Sequence, residues 1–471
     1  MCRLAYLVYI ILLLCISSVS NSQNVTIYGN APSYATREII LYRYSDMISM
    51  EEEEIGRCLV NAEGNFTVSF NLETTTFIVS HLGIYKAFLY AEPNKKYEIV
   101  LPERAEKSPE ELLNPYYVES RIQLGIMNVS TDELNFLIRM FNDAYTPYYN
   151  KHILDIISDN DFSELDEDIE RMEKPFVNST NKYFNDYREY RYGLLKFLAS
   201  QKKAVSIHKD YFSNRPVLYN NPAYMELFNQ VYDKYFLFYG RSGEGKEIFN
   251  VINRTGSYHE LKNILAGNEV LSDDTIMELV ILKQVYDEFY SDNFSRNGLL
   301  SILDSLMTET EIKQHKLIGI TIKNKITKLQ PGYDPPAFKL YDTDSNLVTL
   351  DDYKGRYVYL SFCMCYSYSC MSEFELLKGI YERHKERMEI ITITIDPEQE
   401  AVRDFLKKKN YTWKFIFYGN QPQVLKDYDI RAYPTCFLIG PDGKLIISPS
   451  PAPSENFESS LIKTMKARGD L

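Results

Sequence analysis

The chain has 471 residues, 52 Lys and Arg against 65 Asp and Glu, a formal net charge of −13, 45% hydrophobic residues and 25% charged residues. At roughly 150 residues per domain this length predicts about three domains, each long enough for its own core. The acidic balance argues against a nucleic-acid-binding surface or adhesion to anionic lipid. The globular composition excludes a disordered or fibrous chain, and seven cysteines in so long a chain exclude a disulfide-stapled miniprotein.

Met1-Cys2-Arg3 supplies one positive charge, Leu4–Ile16 is apolar, and Ser18-Val19-Ser20 or Ser20-Asn21-Ser22 offers small residues for cleavage. Residues 1–22 therefore read as a secretory signal peptide. The run is shorter than the roughly 20 apolar residues of a membrane span. Lipid anchoring at Cys15 is disfavoured because Leu14 stands where a small residue is needed. No later stretch is long and apolar enough to span a bilayer, so the expected mature protein is exported without a transmembrane segment. It keeps Cys58, Cys363, Cys365, Cys370 and Cys436, in a setting where disulfides persist.

Residues 23–105 read as a small antiparallel β domain of sandwich type. Val25–Tyr28, Glu38–Tyr44, Asn65–Phe70, Thr76–Val79, Lys86–Tyr90 and Tyr97–Leu101 are rich in β-branched and aromatic residues and are parted by turn signals. The acidic run Glu51–Glu54 reads as a solvated edge or turn, since no histidine or further acid lies at metal-binding spacing. Residues 106–330 change to a period of 3.6 and read as an α-helical region of seven or eight helices. Its tyrosines, such as Tyr183, Tyr187 and Tyr190, or Phe228, Tyr232, Tyr235 and Tyr239, lie at helical spacing. A carbohydrate-stacking face is conceivable, but core tyrosines with wet hydroxyls account for the spacing more simply. His152, His208, His259 and His315 are isolated and suggest no metal site.

Pro331, Pro335, Pro336 and Gly332 mark a linker, and residues 331–471 follow with an α/β pattern. Tyr357–Cys365 and Met388–Ile395 are continuous apolar runs suited to buried parallel strands. Helices are expected after Ser367 or Ser369, after Asp396-Pro397-Glu398, near Gln421–Tyr428 and from Ser454. Strands are expected at Lys414–Tyr418, Thr435–Ile439 and Leu445–Ser448. The order fits a three-layer α/β domain.

Three stretches carry a resemblance. They are Pro336–Leu340, Leu350–Phe362 and Ala432–Ile439 followed by Asp442-Gly443. Residues 331–471 resemble the thioredoxin-like domain of extracytoplasmic thiol–disulfide proteins of the TlpA/ResA type. That family's signature is Phe-Trp-Ala-x-Trp-Cys-x-x-Cys-x-x-Glu. In this chain the window reads Phe362-Cys363-Met364-Cys365-Tyr366-Ser367-Tyr368-Ser369-Cys370-Met371-Ser372-Glu373. The resemblance implies a thioredoxin fold, a periplasmic or cell-envelope location, protein or peptide thiols and disulfides as partners, and no cofactor. It also implies that Cys370 is the resolving cysteine and that Glu373 is an acid near the thiols. Pro434 would be a cis-proline whose flanking Tyr433 and Thr435 meet an extended peptide.

Ser367 stands where the family has its attacking cysteine. A helix N-terminus can bring a thiol into the thiolate range, but a serine oxygen cannot form the S–S bond of exchange. The chain is therefore expected to lack ordinary disulfide reductase turnover and to bind partners at the thioredoxin surface. Two alternatives stay open. One is a thiol–disulfide oxidoreductase in which Cys370 pairs with a displaced Cys365 or Cys363. The other is a peroxidase centred on Cys370, because Ser367-x-x-Cys370-x-x-Glu373 resembles the Thr-x-x-Cys-x-x-Glu pattern of peroxiredoxins. Against both, Cys363 and Cys436 can be small core hydrophobes. A metal site from Cys363, Cys365, Cys370 and His384 is disfavoured because His384 lies far along the helix.

Overall fold

The computed structural model describes residues 24–127, 129–157, 164–200, 204–396, 398–419 and 421–471. The signal peptide expected at 1–22 lies outside the described residues. The chain forms two compact units. One runs to Glu106 and resumes over Glu119–Ile318, and the other joins Lys107–Val118 to Gly319–Leu471. No described helix is long and apolar enough to cross a membrane.

The first unit opens with nine strands: β1 (Val25–Asn30), β2 (Glu38–Tyr44), β3 (Glu52–Leu59), β4 (Asn65–Phe70), β5 (Thr76–Leu82), β6 (Tyr85–Ala91), β7 (Lys96–Val100), β8 (Ser120–Gln123) and β9 (Gly125–Ile126). They form a sheet of order β4-β1-β7-β9 and another of order β3-β2-β5-β6-β8. Alternate residues of each strand point inward, so Val25 and Ile27, Phe66, Val68 and Phe70 meet Ile39, Leu41, Ile78 and Leu89 in one core. Pairing is not wholly antiparallel. β1 runs parallel to β7, and β6 runs parallel to β8, because β7 and β8 each return to their neighbour from a distant part of the chain.

The acidic run lies in edge strand β3, paired with β2. Spacing along the chain hid its partner. Glu52 and Glu119 hydrogen-bond the two ring nitrogens of His81 at 2.8 and 2.6 Å, and Lys86 also donates to Glu52. Hydrogen bonds to Glu119 and Glu52 hold His81 above the usual histidine range. Burial opposes ionisation of Glu52, but hydrogen bonds from His81 and Lys86 outweigh it and bring its pKa down to about 2. The folded pKa of His81 exceeds its unfolded value, so its contribution is complete below about pH 6.5 and fades as pH rises through the raised value. The Glu52 contribution is complete above about pH 4.5 and is lost as pH falls toward 2. Urea midpoints of the first unit should therefore decline on the alkaline side of pH 6.5. His81→Gln should flatten that decline, and an unchanged decline would locate its cause elsewhere.

Helices fill the rest of this unit. Several are short, among them Tyr235–Gly240 and Ile248–Asn250. The stripe from Phe228 to Tyr239 is divided between two helices, because Pro222–Val231 ends and Lys234 adopts φ 48° before the next begins. Several of these tyrosines are core residues with hydroxyls bonded inside. Tyr190 donates to the Tyr211 carbonyl at 3.0 Å, Tyr145 donates to the Arg191 carbonyl at 3.0 Å, and the Tyr232 hydroxyl lies 2.6 Å from His208 Nδ1. Burial leaves Tyr145, Tyr190 and Tyr232 no surface for stacking on sugars.

The second unit is built on a seven-stranded sheet. Its strands are β10 (Leu340–Asp342), β11 (Leu347–Val348), β12 (Tyr357–Cys363), β13 (Met388–Thr394), β14 (Lys414–Phe417), β15 (Thr435–Ile439) and β16 (Leu445–Ser450), in the order β11-β10-β14-β13-β12-β15-β16. β12 is buried throughout, parallel to β13 and antiparallel to β15. Its alternate residues serve two cores. Tyr357, Tyr359 and Cys363 face a cluster with Phe374, Leu377, Phe457 and Leu461 of the helices Tyr368–His384 and Phe457–Arg468. Val358, Leu360 and Phe362 face a cluster with Leu425, Tyr428 and Ile430. This is a three-layer α/β sandwich. Lys107–Val118 belongs to it, with Leu113 packed on the second cluster.

Candidate functional site

Central strand β12 ends at Cys363, and the chain turns through Met364, Cys365 and Tyr366 into the helix Tyr368–His384, with Ser367 at its N-cap. The turn therefore delivers residues 364–370 to the positive end of a helix beside the carboxyl ends of the parallel strands β12 and β13. Ser367 is half-buried, whereas Tyr366 and Tyr368 are 56% and 84% exposed.

The sulfurs are interior. All five described cysteines are free thiols. Relative exposure is 0% at Cys370, 0% at Cys365, 1% at Cys363 and 3% at Cys436. Donors converge on Cys370: the Cys363 thiol, the Met364 N–H at 3.4 Å and the Ser367 hydroxyl. Together they bring its pKa below the ordinary thiol value, with the Cys363 bond the largest influence and burial opposing. Burial raises the other thiols, Cys363 well above the usual range, Cys365 to about 12 and Cys436 to about 11.

Cys365 parts company with Cys363. Two positions apart on a regular strand, the pair would share a face, but the strand stops at Cys363. The buried Asp396 carboxylate accepts the Cys365 N–H at 2.7 Å, and the Cys365 sulfur lies 3.5 Å from Thr394 Oγ1. Cys363 is the thiol with the largest influence on Cys370. Cys436 lies behind it, 3.8 Å from Ser361 Oγ, which is itself 3.5 Å from Cys363 Sγ. Asp396, Thr394 and Ser361 were not singled out from the sequence. An acid directly after the buried run Met388–Ile395 was the available signal for the first.

Glu373 is engaged elsewhere. Its carboxylate accepts the Ser454 N–H at 2.9 Å and the Ser454 hydroxyl at 2.6 Å. His384 pairs with Glu458 at 2.8 Å near the far end of the helix, away from the thiols. Among the described residues no cluster of His, Cys, Asp and Glu has metal-holding geometry. On the other side of Ser367 stands the loop ahead of β15. The Tyr433–Pro434 peptide bond is cis, the Tyr433 carbonyl accepts the Ser369 hydroxyl at 3.5 Å, and Thr435 pairs with Phe362 at the end of β12. Tyr433, Pro434 and Thr435 are half-buried, so this loop and Ser367 share a partly open surface rimmed by Tyr366 and Tyr368.

This sheet order, with a helix starting at the end of the central strand and a cis-proline loop beside it, defines the second unit as a thioredoxin-like domain. Residues 331–447 match the model of the AhpC/TSA family. The chain is 31% identical over 158 residues to the thiol-disulfide oxidoreductase ResA of Bacillus subtilis, covering 32% of this chain and 82% of that protein. It is 32% identical over 125 residues to ResA of Bacillus cereus, covering 26% and 71%. The chain belongs to the TlpA/ResA-type family of thioredoxin-like proteins. Among solved structures, the thioredoxin domain of a thiol-disulfide oxidoreductase from Bacteroides vulgatus is similar at 23% identity and a TM-score of 0.27, covering 29% of this chain and 98% of that one. A thiol:disulfide interchange protein DsbE from Chlorobium tepidum is similar at 24% and 0.27, covering 29% and 97%.

Proposed function

We propose that the chain is an exported cell-envelope protein whose thioredoxin-like surface binds protein or peptide segments, without turning over protein disulfides by the ordinary dithiol cycle. One observation carries the reading: the residue offered at the open start of the helix is Ser367, while the four thiols of this unit are between 0% and 3% exposed. Exchange with a protein disulfide requires a thiolate to meet a sulfur of the partner. An oxygen at 367 cannot supply that bond, and a sulfur sealed at 370 cannot reach a partner's chain. The binding half rests on the half-buried Tyr433–Thr435 loop and the exposed rings of Tyr366 and Tyr368, which suit an extended segment laid beside a sheet end. Export rests on the apolar run Leu4–Ile16 and the small residues after it.

The test is a pair of assays on the full chain. Insulin reduction in the presence of dithiothreitol should stay at the uncatalysed rate. Binding of extended peptides from a fluorescent library should fall about tenfold or more in Tyr433→Ala and Tyr368→Ala, the loss of aromatic contacts at a hot spot. Cys370→Ser should leave that binding unchanged. Insulin turnover above background, or peptide binding that ignores both tyrosines, would end this reading.

A further inference from the structure

Asp46 stands in the loop between β2 and β3 and is 5% exposed. Its carboxylate accepts the Ile48 N–H at 2.8 Å, the Ser49 N–H at 2.6 Å and the Ser49 hydroxyl at 2.5 Å, all from its own turn. No described lysine, arginine or histidine pairs with it. A carboxylate has about four lone-pair sites and is costly to bury without a countercharge, so Asp46 is short of one donor and one positive charge. It lines a hollow with Tyr44, Met47, Phe77, Tyr219 and Ile318, all within the first unit. Beside the hollow, Asn229 donates its Nδ2 to the Met47 carbonyl at 2.9 Å and keeps Oδ1 buried with no donor.

Tyr219 reaches the same hollow from the loop ahead of the helix Pro222–Val231. Its hydroxyl lies 2.8 Å from Nε2 of His315, which is 0% exposed, and Nδ1 of that ring lies 2.9 Å from Glu278 Oε2. Glu278 also accepts the Thr310 hydroxyl at 2.6 Å and the Tyr258 hydroxyl at 3.3 Å. Burial opposes its ionisation, but the bonds from His315 and Thr310 outweigh it and hold its pKa below the usual range. An acceptor at Nδ1 places the proton of the neutral ring there and leaves Nε2 to accept the Tyr219 hydroxyl. With its own proton given to His315, the Tyr219 oxygen has only lone pairs left for a ligand.

We propose that this hollow binds a primary ammonium group on an alkyl chain. Asp46 supplies the countercharge, and Tyr219, fixed as an acceptor by His315 and Glu278, takes one of the ammonium protons. The hollow has room for about one water-sized group, which an –NH3+ head matches and a quaternary ammonium exceeds. That head carries three donors, whereas a quaternary ammonium carries none. Met47, Phe77 and Ile318 give the methylenes behind it an apolar lining. Lys86 lies over the Tyr44 ring, 5.2 Å from its centroid, but is already held by Glu52 and does not fill the vacancy at Asp46. The ammonium is that of a small free amine or of a lysine side chain. The site is independent of the thioredoxin-like surface.

The experiment is isothermal titration of the full chain at neutral pH with n-butylammonium chloride, which should bind saturably at one site. Butyltrimethylammonium chloride, with the same charge, and n-butanol, with the same chain, should each bind at least about tenfold more weakly, since one lacks donors and the other lacks charge. Asp46→Asn keeps an oxygen for the turn but removes the charge, and should weaken butylammonium binding about tenfold or more. Tyr219→Phe should weaken it about tenfold, the loss of one hydrogen bond to a charged donor, with circular dichroism unchanged. If Asp46→Asn does not fold, Tyr219→Phe alone decides. A further arm uses Nα-acetyl-lysine N-methylamide: binding as tight as that of butylammonium assigns the site to lysine side chains, and its exclusion assigns the site to free amines. Equal binding of butyltrimethylammonium would reduce the effect to the net charge of the chain and overturn the site. So would the absence of saturable binding, or affinity unchanged in Tyr219→Phe.

Discussion

Ser367→Cys should convert this chain into a reductant of protein disulfides, raising insulin reduction in the presence of dithiothreitol by at least about tenfold over the parent. The substitution exchanges one oxygen for sulfur at the N-cap of the helix Tyr368–His384, one turn ahead of Cys370, at a half-buried position. A thiol there meets the positive end of the helix, which favours its thiolate. The mixed disulfide formed at residue 367 is then opened by Cys370, whose sulfur attacks the sulfur of residue 367 and releases the partner's second thiolate; the Ser367 hydroxyl already helps to lower the Cys370 pKa. The same variant should titrate as two thiols that close a reversible disulfide between 367 and 370. If Ser367→Cys forms that disulfide but gains no insulin reduction, the barrier lies in the rim of Tyr366, Tyr368 and Tyr433. If it does not form the disulfide, the missing sulfur is not the deciding departure from the family pattern.

Gly298→Ala should have the largest effect on stability, a loss of about 3 kcal/mol or more from the first unit, in the range of severe overpacking. A Cβ built at Gly298 would lie 1.8 Å from the Ile252 carbonyl oxygen. That oxygen belongs to the π-helical turn Val251–Thr255, so backbone rather than a mobile side chain would have to move. The displaced helix, Arg296–Glu309, carries the buried Leu299, Ile302, Leu303 and Leu306, and their packing would shift with it. Gly243→Ala is the control, because a Cβ added there would meet no atom within 4 Å, and it should be neutral within about 0.5 kcal/mol. Calorimetry of the two variants measures the difference. Equal melting temperatures would show that the approach to Ile252 does not hold this part of the fold.

The thioredoxin-like unit was legible because its strands announce themselves twice. Tyr357–Cys363 is apolar at nearly every position, as a strand covered on both faces must be, and the family window around Ser367 locates the turn that follows. The Tyr433–Pro434 loop was legible for the same reason. What escaped were contacts between residues remote in sequence. Nothing near Cys365 shows that Asp396 will capture its N–H and divert it from Cys370. Nothing near Glu52 shows that His81 will arrive from another strand. β3 escaped because an edge strand has one solvated side and tolerates Glu52, Glu53 and Glu54 in a row, which erases the alternation by which strands are read. The stripe from Phe228 to Tyr239 has sound helical spacing, but periodicity carries no information about the left-handed residue Lys234 that breaks it.

The membership of Lys107–Val118 in the second unit also shapes how the chain is threaded. The polypeptide passes from the first unit to the second after Glu106, returns after Val118, and passes over again after Ile318. Three covalent crossings join the units, so one proteolytic nick at any of them leaves the halves tethered by the other two. A ribosome also releases Leu113, which packs on the core of the thioredoxin-like unit, long before β12 exists to receive it. That unit cannot be complete until the last part of the chain has emerged, and a fragment beginning at the proline-rich linker would leave the seat of Leu113 bare.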